Sequence, residues 1–448
     1  MRIMVSVVCM MLLIASCKQP GDYKKFTNDP FLYCKTVKQL NNVVLENNFP
    51  PMIASRNYVY ANIAAYEAMV AGDSRFNSLA GQITHLPPLP KQDTTNVDFH
   101  FASLLAFCKV GEAVTFPEGS MVDYVNAMKH AADSAGMPEE VMTATQKFAD
   151  SVAAHILKWS KGDNYAQTRS ASKYTVINEE GRWIPTPPAY TTAVEPHWMK
   201  IRTMVLDSCS QFRCVIPPAY EIKKTDVAFY KDLMEVKNIG DSLTEEQKHI
   251  ADFWDDNPFK LNVQGHMMFA TKKFSPPGHW MNIVGIAAQK AKADFGTTVC
   301  AYTETSIALF DGFIGCWDEK FRSNLVRPET VINKHIDQMW RPYIQTPPFP
   351  SYPSGHSVIS NAAAEVMTSI FGDNLSFTDT SLLEFGIKNR QIESFRKAAE
   401  EAGISRLYGG IHYRFDIERG NEMGRSIGTY IVQRLKMRKE TTAHQLNH

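Results

Sequence analysis

The 448-residue chain sets 47 Lys+Arg against 47 Asp+Glu, and its hydrophobic (44%) and charged (21%) fractions are those of an ordinary globular protein. Without net charge there is no global field to hold nucleic acid or an anionic membrane, so any preference for anions has to be local. The length allows two or three units or one large helical domain. In chain order, Arg2 followed by an apolar run over residues 4–14 reads as a signal segment. The run is too short to span a bilayer, and no later apolar run reaches the roughly 20 residues that a span needs.

The signal segment closes on Leu13-Ile14-Ala15-Ser16-Cys17, which resembles the lipobox of bacterial lipoproteins. That resemblance implies cleavage before Cys17, lipidation of its thiol, and a mature protein held to a membrane by the lipid alone, on the periplasmic side or the outer membrane if the source is Gram-negative. Residues 18–30 then form a tether. Of the other cysteines, Cys209 and Cys214 are spaced either to pair in an oxidising compartment or to stay as buried thiols. With no Cys-x-x-Cys and no His–Cys clustering, no structural zinc is expected.

Most of the rest reads as helix. Apolar residues recur at three- and four-residue spacing over 57–69, 99–110, 121–135 and 138–159. Residues 160–225 are broken by Pro185, Pro187, Pro188, Pro196, Pro217 and Pro218, and read as an irregular excursion over the surface. Ser242 or Thr244 caps a helix running through Trp254. Further helices are expected from Pro276 to about 293, over 303–322, and over 358–371. The organisation expected is a helical region at 31–240, a catalytic helical domain at 241–437, and a tail at 438–448. Asp311, Asp318, His266 and His279 read as structural residues by default. His279, after Pro276-Pro277-Gly278, is the first of them to test.

Three motifs carry chemistry. In the first, Lys320 sits at the edge of the apolar stripe Phe310, Phe313, Trp317 and Phe321, and Arg327-Pro328 follows. A lysine so placed either snorkels to water or meets a fixed anion. In the second, Pro353-Ser354-Gly355-His356 immediately precedes a helix. A hydroxyl, a residue without Cβ and unpaired helix N–H groups suit an anion there, with His356 positioned to exchange a proton; a proline-rich loop with a serine cap explains all but the histidine. In the third, Arg406 and His412 would lie about 120° apart on an unbroken helix. Gly409-Gly410 breaks it, and Asp416 follows His412 by four residues, placed to orient its ring. Lys320, Arg327 and Arg406 cannot share a dry pocket unless a multivalent anion neutralises them.

In that order, Lys-x6-Arg-Pro, Pro-Ser-Gly-His and Ser-Arg-x5-His-x3-Asp resemble the signature shared by vanadium-dependent haloperoxidases and type-2 phosphatidic acid phosphatases. The likeness is clearest over residues 243–436 and looser near 55–70. It implies an all-α, multi-helical bundle of the vanadium chloroperoxidase and acid phosphatase type. Trp317, Pro347, Phe349 and the ending His412-Tyr-Arg-Phe-Asp416 resemble the chloroperoxidase branch, in which an aromatic at position 349 accompanies chloride-type chemistry. The roles implied are His412 as the vanadium ligand, and Lys320, Arg327, Ser354, Gly355 and Arg406 on the oxygens of vanadate, or of phosphate in its place. His356 would be the acid–base group, Lys320 would polarise peroxide, and Trp317, Pro347 and Phe349 would line a halide pocket. The substrates implied are hydrogen peroxide and a halide, with hypohalous acid released and neither zinc, iron nor haem required. The same residues suit an acid phosphatase acting on a phosphoester, with His412 as nucleophile, Asp416 orienting it and His356 protonating the leaving oxygen. A binding lipoprotein without catalysis would need the cations but neither histidine.

Overall fold

The structure, a computed structural model, describes residues 22–115, 118–257, 260–264 and 267–439. The signal segment with Cys17, most of the tether, His266 and the tail from 440 onward lie outside the described residues. The chain forms α1 (Asp22–Thr27), α2 (Pro30–Glu46), α3 (Pro51–Val70), α4 (Phe99–Val114), α5 (Val122–Ser134), α6 (Glu139–Ser160) and α7 (Tyr165–Arg169). The second half forms α8 (Ala228–Asp241), α9 (Glu245–Phe253), α10 (Pro276–Lys290), α11 (Phe295–Ser323), α12 (Pro328–His335), α13 (Gly355–Phe371), α14 (Phe395–Tyr408) and α15 (Arg414–Arg434). The fold is all-α. Among the described residues its strands are two short antiparallel pairs, β1 (Lys260–Gln264) with β2 (Met267–Thr271), and β3 (Phe377–Asp379) with β4 (Arg390–Ile392), the latter in the register Phe377↔Ile392.

Short polar residues start many of these helices, because a side-chain oxygen at the cap satisfies a backbone N–H that the helix leaves free, worth about 1 kcal/mol. Asp98 accepts from Phe101 N at 2.9 Å, and Thr244 exchanges bonds with Gln247 as a capping box. Asp294 accepts from Thr297 N at 2.8 Å, which starts α11 two turns before the expected residue 303. Every residue from Met52 to Met69 of α3 is buried, so this helix is enclosed on all sides and lacks a polar face. It packs on α4 and α11; α11 in turn packs on α13, and α13 on α14 and α15. One apolar core runs from Tyr23 to Met437, passing through residues on both sides of 240.

The α13–α15 contact is unusually close. Gly420, Gly424 and Gly428 form a stripe on α15 that faces the α13 backbone, and a Cβ on Gly420 or Gly428 would lie 2.9 Å from Ser354 O or 2.6 Å from Ala362 O. The irregular stretch at 160–225 is irregular as expected, but it does not merely cross the surface. Trp183 and Trp198 are fully buried, and the Asp311 carboxylate accepts the N–H groups of Met204, Val205 and Leu206 at 2.7–3.0 Å. A carboxylate aimed at three successive amides ties the excursion to α11. Cys209 and Cys214 are free thiols, Cys209 beside Asp318 and Cys214 beside Met423. Among the described residues no helix is long and apolar enough to cross a membrane.

Candidate active site

The three motifs meet at the N-terminus of α13. Trp317 and Lys320 come from the last turns of α11; Asn324, in the left-handed region at φ 49°, ends that helix and turns the chain toward Arg327 at the start of α12. Lys320 is fully buried, and its Nζ donates to Pro350 O (2.9 Å), Ser351 O (2.9 Å) and Pro353 O (2.6 Å). Three acceptors call for the three N–H bonds of an ammonium, although burial pulls its pKa down. Lys320 thus clips the loop that leads into α13, and its stem backs Gly355: a Cβ there would lie 3.9 Å from Lys320 Cε and from Trp317 Cζ3. That gap is room for a ligand to approach the backbone.

Arg327, also fully buried, donates through Nε to Phe349 O at 2.9 Å and through Nη1 to Ile411 O at 2.8 Å. Burial lowers its pKa to about 10, so it stays charged at neutral pH, and its Nη2 has no partner. An unsatisfied buried guanidinium nitrogen is expensive, and an anion would satisfy it. Ser354 caps α13 by accepting from Ser357 N at 3.3 Å. The first N–H groups of α13 have no intrahelical partner.

α14 ends at Tyr408, and Gly410 (φ +77°) reverses the chain against Pro342 and Trp340, where a Cβ would meet atoms at 3.1 Å. This break turns Arg406 and His412 to the same side. Asp416 reaches His412 from the first turn of α15, not along a shared helix: its Oδ2 accepts from His412 Nδ1 at 2.8 Å, Ser351 Oγ at 2.5 Å and Tyr413 N at 3.2 Å. With Nδ1 donating, Nε2 of His412 keeps its lone pair and accepts from Arg327 Nη1 at 3.1 Å. Burial, together with Arg327, Lys320 and Arg406, holds this ring well below the usual histidine range, hence neutral. Burial pushes the Asp416 carboxyl up.

These groups adjoin a cavity of about 70 Å³, room for several waters or one small oxyanion. Gly355, His356, Arg406 and His412 line its polar side; Phe313, Trp317, Pro347 and Phe349 line its apolar side. Lys320, Arg327, Ser354 and Asp416 stand behind that lining. Phe349 lies 5.0 Å from the Trp317 ring, with Lys320 Nζ and Arg327 Cζ each 5.1 Å from its centroid, so its π face is turned to both cations. Arg406 donates to Ser405 Oγ at 2.9 Å and, by a short bond, to Trp254 O. His356 has an unpartnered Nε2, 3.9 Å from Asp256 Oδ2. Burial, then Arg406 and His279, hold its pKa well below the usual value.

In one respect the cations depart from expectation. Lys320, Arg327 and Arg406 do share a buried pocket, but the protein itself supplies much of the opposing charge: Asp416 faces Lys320 and Arg327, and Asp255 and Asp256 face Arg406. Asp255 and Asp256 line the cavity and were missed in the sequence, as were Pro51 and Val194. The only sequence signal was their place just after a capped helix. Any attraction for an anion therefore has to come from where the donors point and not from net charge. The residues fit a tetrahedral oxyanion such as vanadate: the N-terminus of α13, the space at Gly355 and the His412 ring border the cavity, and the unpaired guanidinium nitrogen of Arg327 lies beside that ring.

The chain is 44% identical to a protein of known crystal structure described as the first bacterial vanadium-dependent iodoperoxidase, over 92% of this chain and 98% of that one, with a TM-score of 0.87. This chain belongs to the vanadium-dependent haloperoxidase superfamily. Two structures of bacterial vanadium-dependent chloroperoxidase share the haloperoxidase fold: the holo type at TM-score 0.64 and 17% identity (86% of this chain, 92% of that one), and the apo type at 0.65 and 16% (87% and 96%). The family model for the second helical-bundle domain of VCPO matches residues 301–440, which include all three haloperoxidase-type motifs. No curated protein matches the chain.

Proposed function

We propose that the protein is a vanadate-dependent haloperoxidase that oxidises halide with hydrogen peroxide, and that iodide is its preferred halide. The observation that carries the reading is the pairing of a neutral His412, its Nδ1 tied to Asp416, with the unpartnered Nη2 of Arg327 beside its Nε2. Vanadate, when bound, supplies a Lewis-acidic centre that makes a peroxide oxygen electrophilic toward halide. His412 would hold it through Nε2, which Asp416 keeps unprotonated. Arg327, Arg406 and the first amides of α13 would bind its oxygens, and the Lys320 ammonium would add charge from behind Gly355 while fixing the loop. His356, neutral with a free Nε2, would take a proton from incoming peroxide and return it to the leaving oxygen.

Phe313, Trp317, Pro347 and Phe349 form an apolar wall that keeps water off the reacting oxygen. Such a wall favours a large halide, because the Born cost of dehydrating an anion falls with its radius. Iodide is also the most easily oxidised halide the site would meet. The 44%-identical protein is an iodoperoxidase, which supports the same choice over chloride-type chemistry. Oxidation of iodide, bromide and chloride should be measured with vanadate-loaded and vanadate-free protein at saturating peroxide. The expected result is vanadate-dependent turnover with kcat/KM falling from iodide to chloride. Hydrolysis of p-nitrophenyl phosphate by the vanadate-free protein, without any halide oxidation on loading, would replace this reading with the phosphatase one, for which a neutral His412 oriented by Asp416 is equally suited. We further propose that the mature protein is a lipoprotein anchored at Cys17; a Cys17→Ala chain that still partitions with membranes sinks that proposal.

A further inference from the structure

Beside the cavity lies a second cluster of buried ionisable groups to which the peroxidase reading gives no role. His279, near the start of α10, is fully buried, with its ring stacked on Trp254 at 4.8 Å and edge-on to Phe253 at 5.4 Å. Its Nδ1 lies 3.0 and 3.2 Å from the two oxygens of Asp256, and its Nε2 lies 2.9 Å from Asp379 Oδ2 at the end of β3. An ionised carboxylate only accepts hydrogen bonds, so a ring between two of them has to donate from both nitrogens, which makes it an imidazolium. Asp256 then has His279 on one side and, 3.9 Å away on the other, the unpartnered Nε2 of His356. Catalytic hydrogen bonds in ligand-free sites are often this long and tighten when the ligand arrives.

We propose that His279 is a positioning residue of this active site, a buried imidazolium that keeps the Asp256 carboxylate aimed at the Nε2 of His356. The order Asp379–His279–Asp256–His356 puts one fixed positive charge between two carboxylates. The carboxylate nearer the cavity is thereby oriented. His356 stays free to accept a proton at rest, yet finds a partner for the charge it acquires. Burial opposes the extra proton on His279, but Asp256 and Asp379 outweigh it and raise its pKa to about 10. The Asp379 pKa is lowered: burial acts against this, and His279 prevails. The charged and titratable groups facing His356 are Asp256 from the segment after α9, His279 from α10, Lys320 from α11, Arg406 from α14 and His412 from the link to α15.

The inference rests on the acid–base role proposed for His356, and two measurements separate the two claims. First, 15N NMR of histidine-labelled, vanadate-free protein at pH 8 should show His279 with both ring nitrogens protonated, assigned from the spectra of His279→Gln and Asp379→Asn. A singly protonated ring overturns the proposal, whatever the enzyme oxidises. Second, the acidic limb of the kcat/KM pH profile should move up by about one unit in His279→Gln, because removing the His279 charge leaves Asp256 shared with Arg406 alone and raises the proton affinity of His356. In Asp379→Asn the limb should stay or move down, since His279 then faces a single carboxylate. A merely structural role would not give opposite responses; equal shifts in both variants, or none in His279→Gln, overturn the proposal. If His279→Gln does not fold, the NMR result and the Asp379→Asn profile decide. Failure of halide oxidation alongside a doubly protonated His279 counts against the peroxidase reading and not against this one.

Discussion

His412 and His279 are the same side chain at nearly the same burial, and the protein holds them in opposite charge states. Around His412 the cations Lys320, Arg327 and Arg406 stand against the one carboxylate that touches the ring, Asp416, and the ring is neutral with its Nε2 lone pair accepting from Arg327. Around His279 two carboxylates, Asp256 and Asp379, close on both nitrogens and the ring is charged. Burial alone pushes both toward neutrality; the partners decide. A ligand for a metal needs the first environment, and a fixed countercharge needs the second.

The comparison can be broken at either ring. His412→Ala should abolish vanadate-dependent halide oxidation while leaving the helical circular dichroism of the wild type; retained turnover would show that the floor of the site is misassigned. Asp416→Asn should lower vanadate affinity or activity roughly 10- to 100-fold, the usual effect of removing the group that orients a metal-bound imidazole. Arg327→Ala removes the charge-assisted bond open to its unpartnered Nη2, worth about 1.5–3 kcal/mol, so vanadate or phosphate affinity by calorimetry should fall by a factor on the order of 10 to 100.

At the other ring the expected effect is on stability. His279 gains proton affinity on folding, from 6.5 to about 10, so its contribution is fully present below about pH 6.5 and is lost as the pH rises toward 10. Urea midpoints at pH 6, 8 and 10 should decline in the wild type by more than in His279→Gln; parallel declines would remove the imidazolium. The smallest effect concerns Phe349, whose face meets both Lys320 and Arg327. Phe349→Leu should weaken anion binding by a few-fold, at about 0.5–1 kcal/mol per cation–π contact.

How much was legible in the sequence follows the same division. The floor residues come in short runs with chemical logic: a serine and glycine before a helix, an Arg and a His across a Gly-Gly break, an Asp four residues on. The all-α class and most helix positions were equally readable, because apolar spacing and caps are local. The distant wall was not. Asp256, His279 and Asp379 are far apart along the chain and come from the segment after one helix, the start of another and a short strand. Only tertiary packing brings them together, and His279 stood out solely through its position after Pro-Pro-Gly. The link from Asp416 to His412 was foreseen, but its geometry was not: the aspartate reaches back from the first turn of α15.

The glycine stripe on α15 has a consequence for engineering. Because Gly424 rides directly on the Val358 carbonyl and Gly420 on that of Ser354, one added methyl would act as a wedge, prying α15 from α13 and pulling Asp416 and the Ser354 amide out of register. The catalytic spacing is thus set by a bare backbone seam that touches no substrate, and a variant scan confined to the cavity walls would never sample it.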